Sequence, residues 1–249
     1  MEYYEYLLIF GSGLIAGFIN VVAGGGSLLT LPILIFLGLP PAMANGTNRV
    51  GIFLQNIFAV SGFKSKGVSS FRFSIWLSIS ALIGAILGAK IAVDISGELF
   101  NRILAIVMMG VIALTVFKRK NKNEAGVELM SKGRQTASII AFFFVGIYGG
   151  FIQAGVGFII IATLTGINHL SLVKTNSIKV FVALIYTFFA LAVFTWEGQV
   201  DWVLGLTLAA GTSIGGWFAS RWSVDKGDQW IRYFLIVTVS IMAVKLWFF

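Results

Sequence analysis

The sequence contains no cysteine and a single histidine, His169. The first absence excludes disulfides and thiolate metal sites, the second a histidine-cluster metal centre, and no cofactor is expected. Charge is also scarce. Asp, Glu, Lys and Arg make up 11% of the 249 residues, against about 25% in a soluble domain whose surface faces water. No acidic residue lies inside an apolar stretch away from its ends, so coupling to protons or sodium through a buried carboxylate has no carrier. No Walker-type lysine motif is present, which excludes ATP hydrolysis by the chain itself. The pattern is that of a transporter and not of an enzyme.

What the chain has instead is apolar length. Hydrophobic residues fill 58% of the positions, and Leu7 to Thr47 and Phe73 to Ala89 contain no charge. About 20 apolar residues cross roughly 30 Å of hydrocarbon. Ten such segments follow one another, at 6–23, 26–39, 43–63, 73–92, 99–117, 136–153, 156–167, 171–195, 202–220 and 230–248. The expected fold is an all-α polytopic membrane protein of about 8–10 helical segments, some of them short, broken or re-entrant. The acidic start, Glu2 and Glu5, does not suit a signal peptide, so the first segment is expected to stay in place. The net charge of +8 is explained by basic loops on the cytoplasmic side, and no nucleic-acid partner is inferred from it.

Lys118 to Arg134 is the one sizeable polar stretch, with six basic and two acidic residues. It divides the chain into a first transmembrane repeat (1–117), a cytoplasmic loop (118–135) and a second transmembrane repeat (136–249). The two sides echo each other. Gly17-Phe18-Ile19-Asn20 with Ala23-Gly24-Gly25-Gly26-Ser27 recurs as Gly150-Phe151-Ile152-Gln153 with Ala154-Gly155-Val156-Gly157-Phe158. Thr47-Asn48 recurs as Thr175-Asn176, Gly84 as Gly215, and Arg102 as Arg232. With the central loop inside, Lys64, Lys66, Arg72, Lys174, Arg221, Lys226 and Arg232 also fall inside. Glu2, Glu5, Glu197, Asp201 and both termini fall outside. An odd number of crossings per half makes the repeats inverted. If each short segment instead joins its predecessor as one broken span, the halves have four spans and are parallel, with Lys174 and Arg221 outside.

Inverted repeats place a transported substrate near the midplane, between short or glycine-interrupted helices. The shortest segments, 26–39 and 156–167, begin just after the glycine clusters Gly24-Gly25-Gly26 and Gly155-Val156-Gly157. Their free N–H groups and positive dipole ends suit an anion, with Ser27 adding a hydroxyl. The third segment carries Asn45, Thr47, Asn48 and Arg49, with Gln55 and Asn56 deeper in. Asn48 and Gln55 share one face. Its counterpart carries Lys174, Thr175, Asn176 and Lys179. Amides and hydroxyls can donate to an oxyanion while Arg49 and Lys179 supply charge. Asn20 and Gln153 precede the two breaks. The candidate substrate-binding set is therefore Asn20, Gly24, Gly25, Gly26, Ser27, Thr47, Asn48, Arg49, Gln153, Gly155, Gly157, Thr175, Asn176 and Lys179. Close packing through small residues, and helix capping by Asn45 or Asn176 with snorkelling cations, account for some of the same residues.

With these residues in view, the chain resembles the TauE/SafE family of sulfite exporters. The resemblance is carried by Gly17 to Asn20, Ala23 to Ser27, Pro32 and Ala44-Asn45-Gly46-Thr47-Asn48-Arg49, and it is echoed at Gly155 to Gly157 and Lys174 to Asn176. It implies movement of sulfite, sulfonates such as sulfoacetate, or related organosulfur anions across the bacterial cytoplasmic membrane. The implied partners are the small anionic substrate and the lipid bilayer, with a homo-oligomer possible. The second glycine motif departs from the first, with Val156 and Phe158 where the first has Gly25 and Ser27. A passive anion channel and a non-transport membrane subunit are the alternatives.

Overall fold

The computed structural model describes the backbone at residues 2–68, 71–116 and 128–248, and side chains there except at 71, 108–109, 111–116, 228–229 and 231–248. Every element is helical. They run α1 (Tyr3–Val22), α2 (Ser27–Phe36), α3 (Pro41–Ser65), α4 (Phe71–Asp94), α5 (Gly97–Val116), α6 (Lys132–Phe151), α7 (Val156–Ile167), α8 (Leu172–Trp196) and α9 (Trp202–Phe248). Polar residues set the starts. Glu2 and Glu5 close a capping box on α1, Ser171 Oγ accepts from the Lys174 amide at α8, and Asp201 Oδ1 accepts from the Leu204 amide at α9.

One boundary differs from expectation. Helix α6 begins at Lys132, inside the stretch read as loop, because Ser131 already stands as its N-cap. As expected, the ninth and tenth apolar segments are two helices, broken at Gly227 with a non-helical φ of 73° and ψ of −174°; α9 names them together. Most of the basic loop, and the side chain of Arg232, lie outside the described residues.

Tyr3–Val22, Arg72–Asp94, Leu172–Trp196 and Trp202–Gly227 are long and apolar enough to cross a membrane. Helices α2 and α7, with 10 and 12 residues, reach only about 15 and 18 Å. Helix α3 has 25 residues, but Asn45, Thr47, Asn48, Arg49, Gln55 and Asn56 are all buried along it. It is long enough to span and is kept polar on its inner side. On α4 the pattern is the reverse: Ile75, Ile79, Ile83, Leu87 and Ile91 form an exposed stripe at every fourth residue, opposite the buried Leu77, Ala81, Ala85, Ala89 and Ala92. An exposed apolar stripe of this length marks a face that meets lipid.

The two halves are interleaved. Gly84 and Gly88 of α4 lie against the α6 backbone at Phe143 and Ile147, while Gly211 and Gly215 of α9 lie against the α1 backbone at Phe10 and Leu14. Small residues let these backbones touch. The contacts also correct the repeat register in these helices. Gly215 takes the place of Gly88 and Gly211 that of Gly84, one turn from the Gly84–Gly215 match read in the sequence. Two ion pairs, Lys66–Asp225 at 2.7 Å and Lys174–Glu128 at 2.6 Å, join segment ends that the charge distribution assigned to one side. The architecture is consistent with inverted repeats.

Candidate functional site: two facing helix breaks

The first break follows α1. The amides of Ala23 and Gly24 both return to Ile19 O at 2.7 and 3.1 Å, and the next bond, Leu28 N to Gly25 O, already belongs to the start of α2. The amides of Gly25, Gly26 and Ser27 fall between the two. The second break has the same form. Ile152 and Gln153 donate to Tyr148 O at 3.0 and 3.4 Å, and Gln153 and Gly155 hold φ of 60° and 73° ahead of α7.

The breaks meet backbone to backbone. Gly24 has a φ of 89°, and a Cβ on it would overlap Gly157, just as one on Gly157 would overlap Gly24. Only glycine satisfies both the dihedral and the contact at position 24. Gly25 lies under the ring of Phe158, and Gly26 lies against Ala16 and Asn20 of α1.

A helix that stops inside a membrane leaves carbonyls without partners and carries a negative dipole end. Here each stop is answered by a cation and an asparagine from the opposite half. At α1, Lys179 Nζ donates to Asn20 O at 3.0 Å and Val21 O at 2.7 Å, and Asn176 Nδ2 donates to Val22 O at 3.1 Å. At α6, Arg49 Nη1 donates to Gly149 O at 3.0 Å, Nη2 to Gly150 O at 2.5 Å, and Asn45 Nδ2 to Phe151 O at 2.7 Å. Asn176 Oδ1 also accepts from Lys179, and Asn45 Oδ1 from Arg49. Asn45 and Asn176 do not cap their own helices, whose N-caps are Pro40 and Ser171; they donate to C-terminal carbonyls of helices from the opposite half.

This geometry makes Asn45, and not Asn48, the counterpart of Asn176. Each lies four residues beyond the first residue of a 25-residue helix, a signal that the Thr-Asn dipeptide obscured. Arg49 and Lys179 direct their N–H groups at helix ends. Arg49 is fully buried and stacks 4.7 Å above the Phe194 ring. Among the described residues neither cation is paired with a carboxylate.

The remaining site residues separate the halves. In the second, Gln153 is used at both ends, accepting from Arg49 at 2.8 Å and donating to Thr187 Oγ1 at 3.1 Å. In the first, Asn20 Nδ2 donates to Gln55 Oε1 at 3.3 Å and Thr30 Oγ1 to Asn48 Oδ1 at 2.7 Å. These bonds leave the Gln55 and Asn48 NH2 groups free. Thr47 Oγ1 accepts from the Asp201 amide at 2.9 Å and ties α3 to the start of α9.

Among the described residues, the buried side-chain atoms without a hydrogen-bond partner are Asn48 Nδ2, Arg49 Nε, Gln55 Nε2, Asn56 Nδ2, Thr175 Oγ1 and Tyr186 OH. All six can donate, and the first four sit on α3. Sequence reasoning left Gln55 and Asn56 out of the binding set and missed Thr30, Tyr186 and Thr187. The four-residue step from Gly26 to Thr30 was the available sign for Thr30. Tyr186 and Thr187 sit in an apolar run that gave none.

The family model described as "Sulfite exporter TauE/SafE" matches residues 9–246. A "Probable membrane transporter protein" of Haemophilus influenzae is 27% identical, over 96% of this chain and 93% of that protein. The "Probable membrane transporter protein YfcA" of Escherichia coli K12 is 28% identical, over 96% and 88%. The "Probable membrane transporter protein ORF9" of a Sinorhizobium species is 24% identical, over 99% and 94%. No solved structure matches. With bilayer-length apolar helices, repeated glycine breaks and a family match across nearly the whole chain, this integral membrane protein belongs to the TauE/SafE sulfite exporter family.

Proposed function

We propose that the protein is a secondary transporter that exports small sulfur-containing anions, such as sulfite or sulfonates, across the bacterial cytoplasmic membrane. The observation that carries this reading is the one-sided polar balance at the breaks. Six buried donors lack acceptors, and two buried cations have no carboxylate among the described residues. An unpartnered buried donor costs about 1–3 kcal/mol, and a hydrogen bond to a charged group contributes about 1.5–3 kcal/mol. A bound oxyanion would turn that cost into binding energy, while a cation would find no ligand set. The substrate set read from the sequence is proposed as the region the anion passes. The chain works as a multi-pass protein of the inner membrane, with the lipid bilayer and the anion as its partners, no nucleic acid, and self-association into a homo-oligomer open to it.

Counterflow of labelled sulfite in proteoliposomes tests the proposal. Saturable uptake accelerated by unlabelled sulfite or a short alkyl sulfonate on the far side is expected. Flux that is linear in concentration and shows no counterflow would replace the carrier by a channel, and no flux at all would leave the transport reading without support.

A further inference from the structure

We propose that the anion is seated by the first half alone, at the N-terminus of α2 between Gln55 and Asn48 of α3, one anion per chain. The inference rests on the transport reading and adds where the anion sits, which groups touch it and which do not.

Three observations converge on that place. The amides of Gly25, Gly26 and Ser27 lie between the last bond closing α1 and the first bond opening α2, at the positive end of a ten-residue helix. Asn48 and Gln55, each about 1% exposed, have their amide oxygens held by the two sides of that helix start. Thr30, in the first turn of α2, holds Asn48. Asn20, which packs on Gly26, holds Gln55. Pinning the oxygens leaves both NH2 groups unpartnered. The two residues are seven apart, roughly 10 Å along the helix. Helical side chains lean toward the N-terminus, so the longer Gln55 shortens the gap and the amides flank the seat.

The second half lacks an equivalent at each point. The start of α7 is covered by the Gly24 backbone lying on Gly157. Its glutamine, Gln153, has no free end. On its α8, Asn176 and Lys179 are occupied by the α1 carbonyls, and the unpartnered groups there are the hydroxyls of Thr175 and Tyr186, with no free amide. What it offers the first break is the ring of Phe158 against Gly25, an apolar wall. The ligand class that fits is a compact oxyanion head held by neutral N–H donors and a helix N-terminus, with Arg49 and Lys179 contributing charge without direct contact.

The test is titration of the purified full-length protein in detergent with sodium sulfite and, separately, sodium methanesulfonate, by calorimetry and thermal shift. Asn48→Ala and Gln55→Leu are compared with Thr163→Val and Thr165→Val in the second half, whose hydroxyls bond only carbonyls of their own helix α7. Should Asn48→Ala not fold, Asn48→Asp keeps the acceptor for Thr30 and replaces the free donor by an oxygen. The wild type is expected to bind one anion per chain. The first-half substitutions should weaken binding at least tenfold, and the second-half ones less than twofold. Equal losses in both halves, or two anions per chain, would overturn the one-sided seat and leave the transport reading standing. A wild type that binds neither anion removes both.

Discussion

The first and second helix breaks share one scaffold and differ in what is left over. Each has a helix ending at a glycine turn, a short helix leading away, and a cation–asparagine pair reaching across from the other half to the exposed carbonyls. Those devices and Gln153 of the second break use the side-chain amides of Asn45, Gln153 and Asn176. In the first, Asn48 and Gln55 keep free donors. On the proposed seat, the repeat is kept for folding in both copies and binding is retained in one. The shared part of the comparison concerns stability, the unshared part ligand affinity, and substitutions can separate the two.

The largest effect is expected where the copies touch. Gly157→Ala drives a methyl group into the Gly24 backbone, whereas a Cβ on Gly166 in the same helix meets nothing within 4 Å. Gly157→Ala should abolish a monodisperse folded product and Gly166→Ala should not, as size-exclusion elution in detergent will show.

Next come the two cations. Arg49 serves two backbone carbonyls plus Gln153 and Asn45, and Lys179 two carbonyls plus Asn176. Each carbonyl orphaned in the interior costs about 1–3 kcal/mol. Arg49→Ala and Lys179→Ala should each lower stability by several kcal/mol, Arg49 by more. Arg49→Lys should recover only part of it, since an ammonium does not reproduce the planar fork. Unfolding in denaturant at fixed detergent measures both.

The asparagines then split. Asn48→Ala should weaken sulfite binding roughly tenfold to a hundredfold through one lost charge-assisted bond, with a smaller drop in melting temperature because the Thr30 hydroxyl is left with Gly26 O at 3.5 Å. Asn176→Ala should lower the melting temperature, because it uncaps Val22 and removes an acceptor of Lys179, and should change affinity much less. Smallest is Lys174→Ala. Its pair with Glu128 is about a third exposed, and such pairs contribute about 0–1 kcal/mol. Parental stability and affinity are expected in the same two assays.

The membrane class, the order of helices, the two breaks and their pairing could be read from composition and from the recurring glycines. These follow from solvent and backbone geometry, which act on local sequence: α2 and α7 are short because glycine turns precede them. The partners of Arg49 and Lys179 could not be read in this way, because they are main-chain carbonyls more than a hundred residues away and a carbonyl has no identity in the sequence. The Thr-Asn dipeptides were misleading for a related reason. Thr47 is fixed by the Asp201 amide, while Thr175 Oγ1 has no partner, so matching letters do different work. The excess of donors on α3 emerged only once each acceptor had been assigned.

The most direct test of the account is diffraction or cryo-electron microscopy of the protein with selenite, a heavier analogue of sulfite whose selenium is located by its anomalous signal or density. The account predicts one selenium per chain at the start of α2, within hydrogen-bond reach of the Asn48 or Gln55 amide, with Arg49 and Lys179 still on the ends of α6 and α1. A selenite whose oxygens accept from Arg49 or Lys179, or equal sites in both halves, would contradict it.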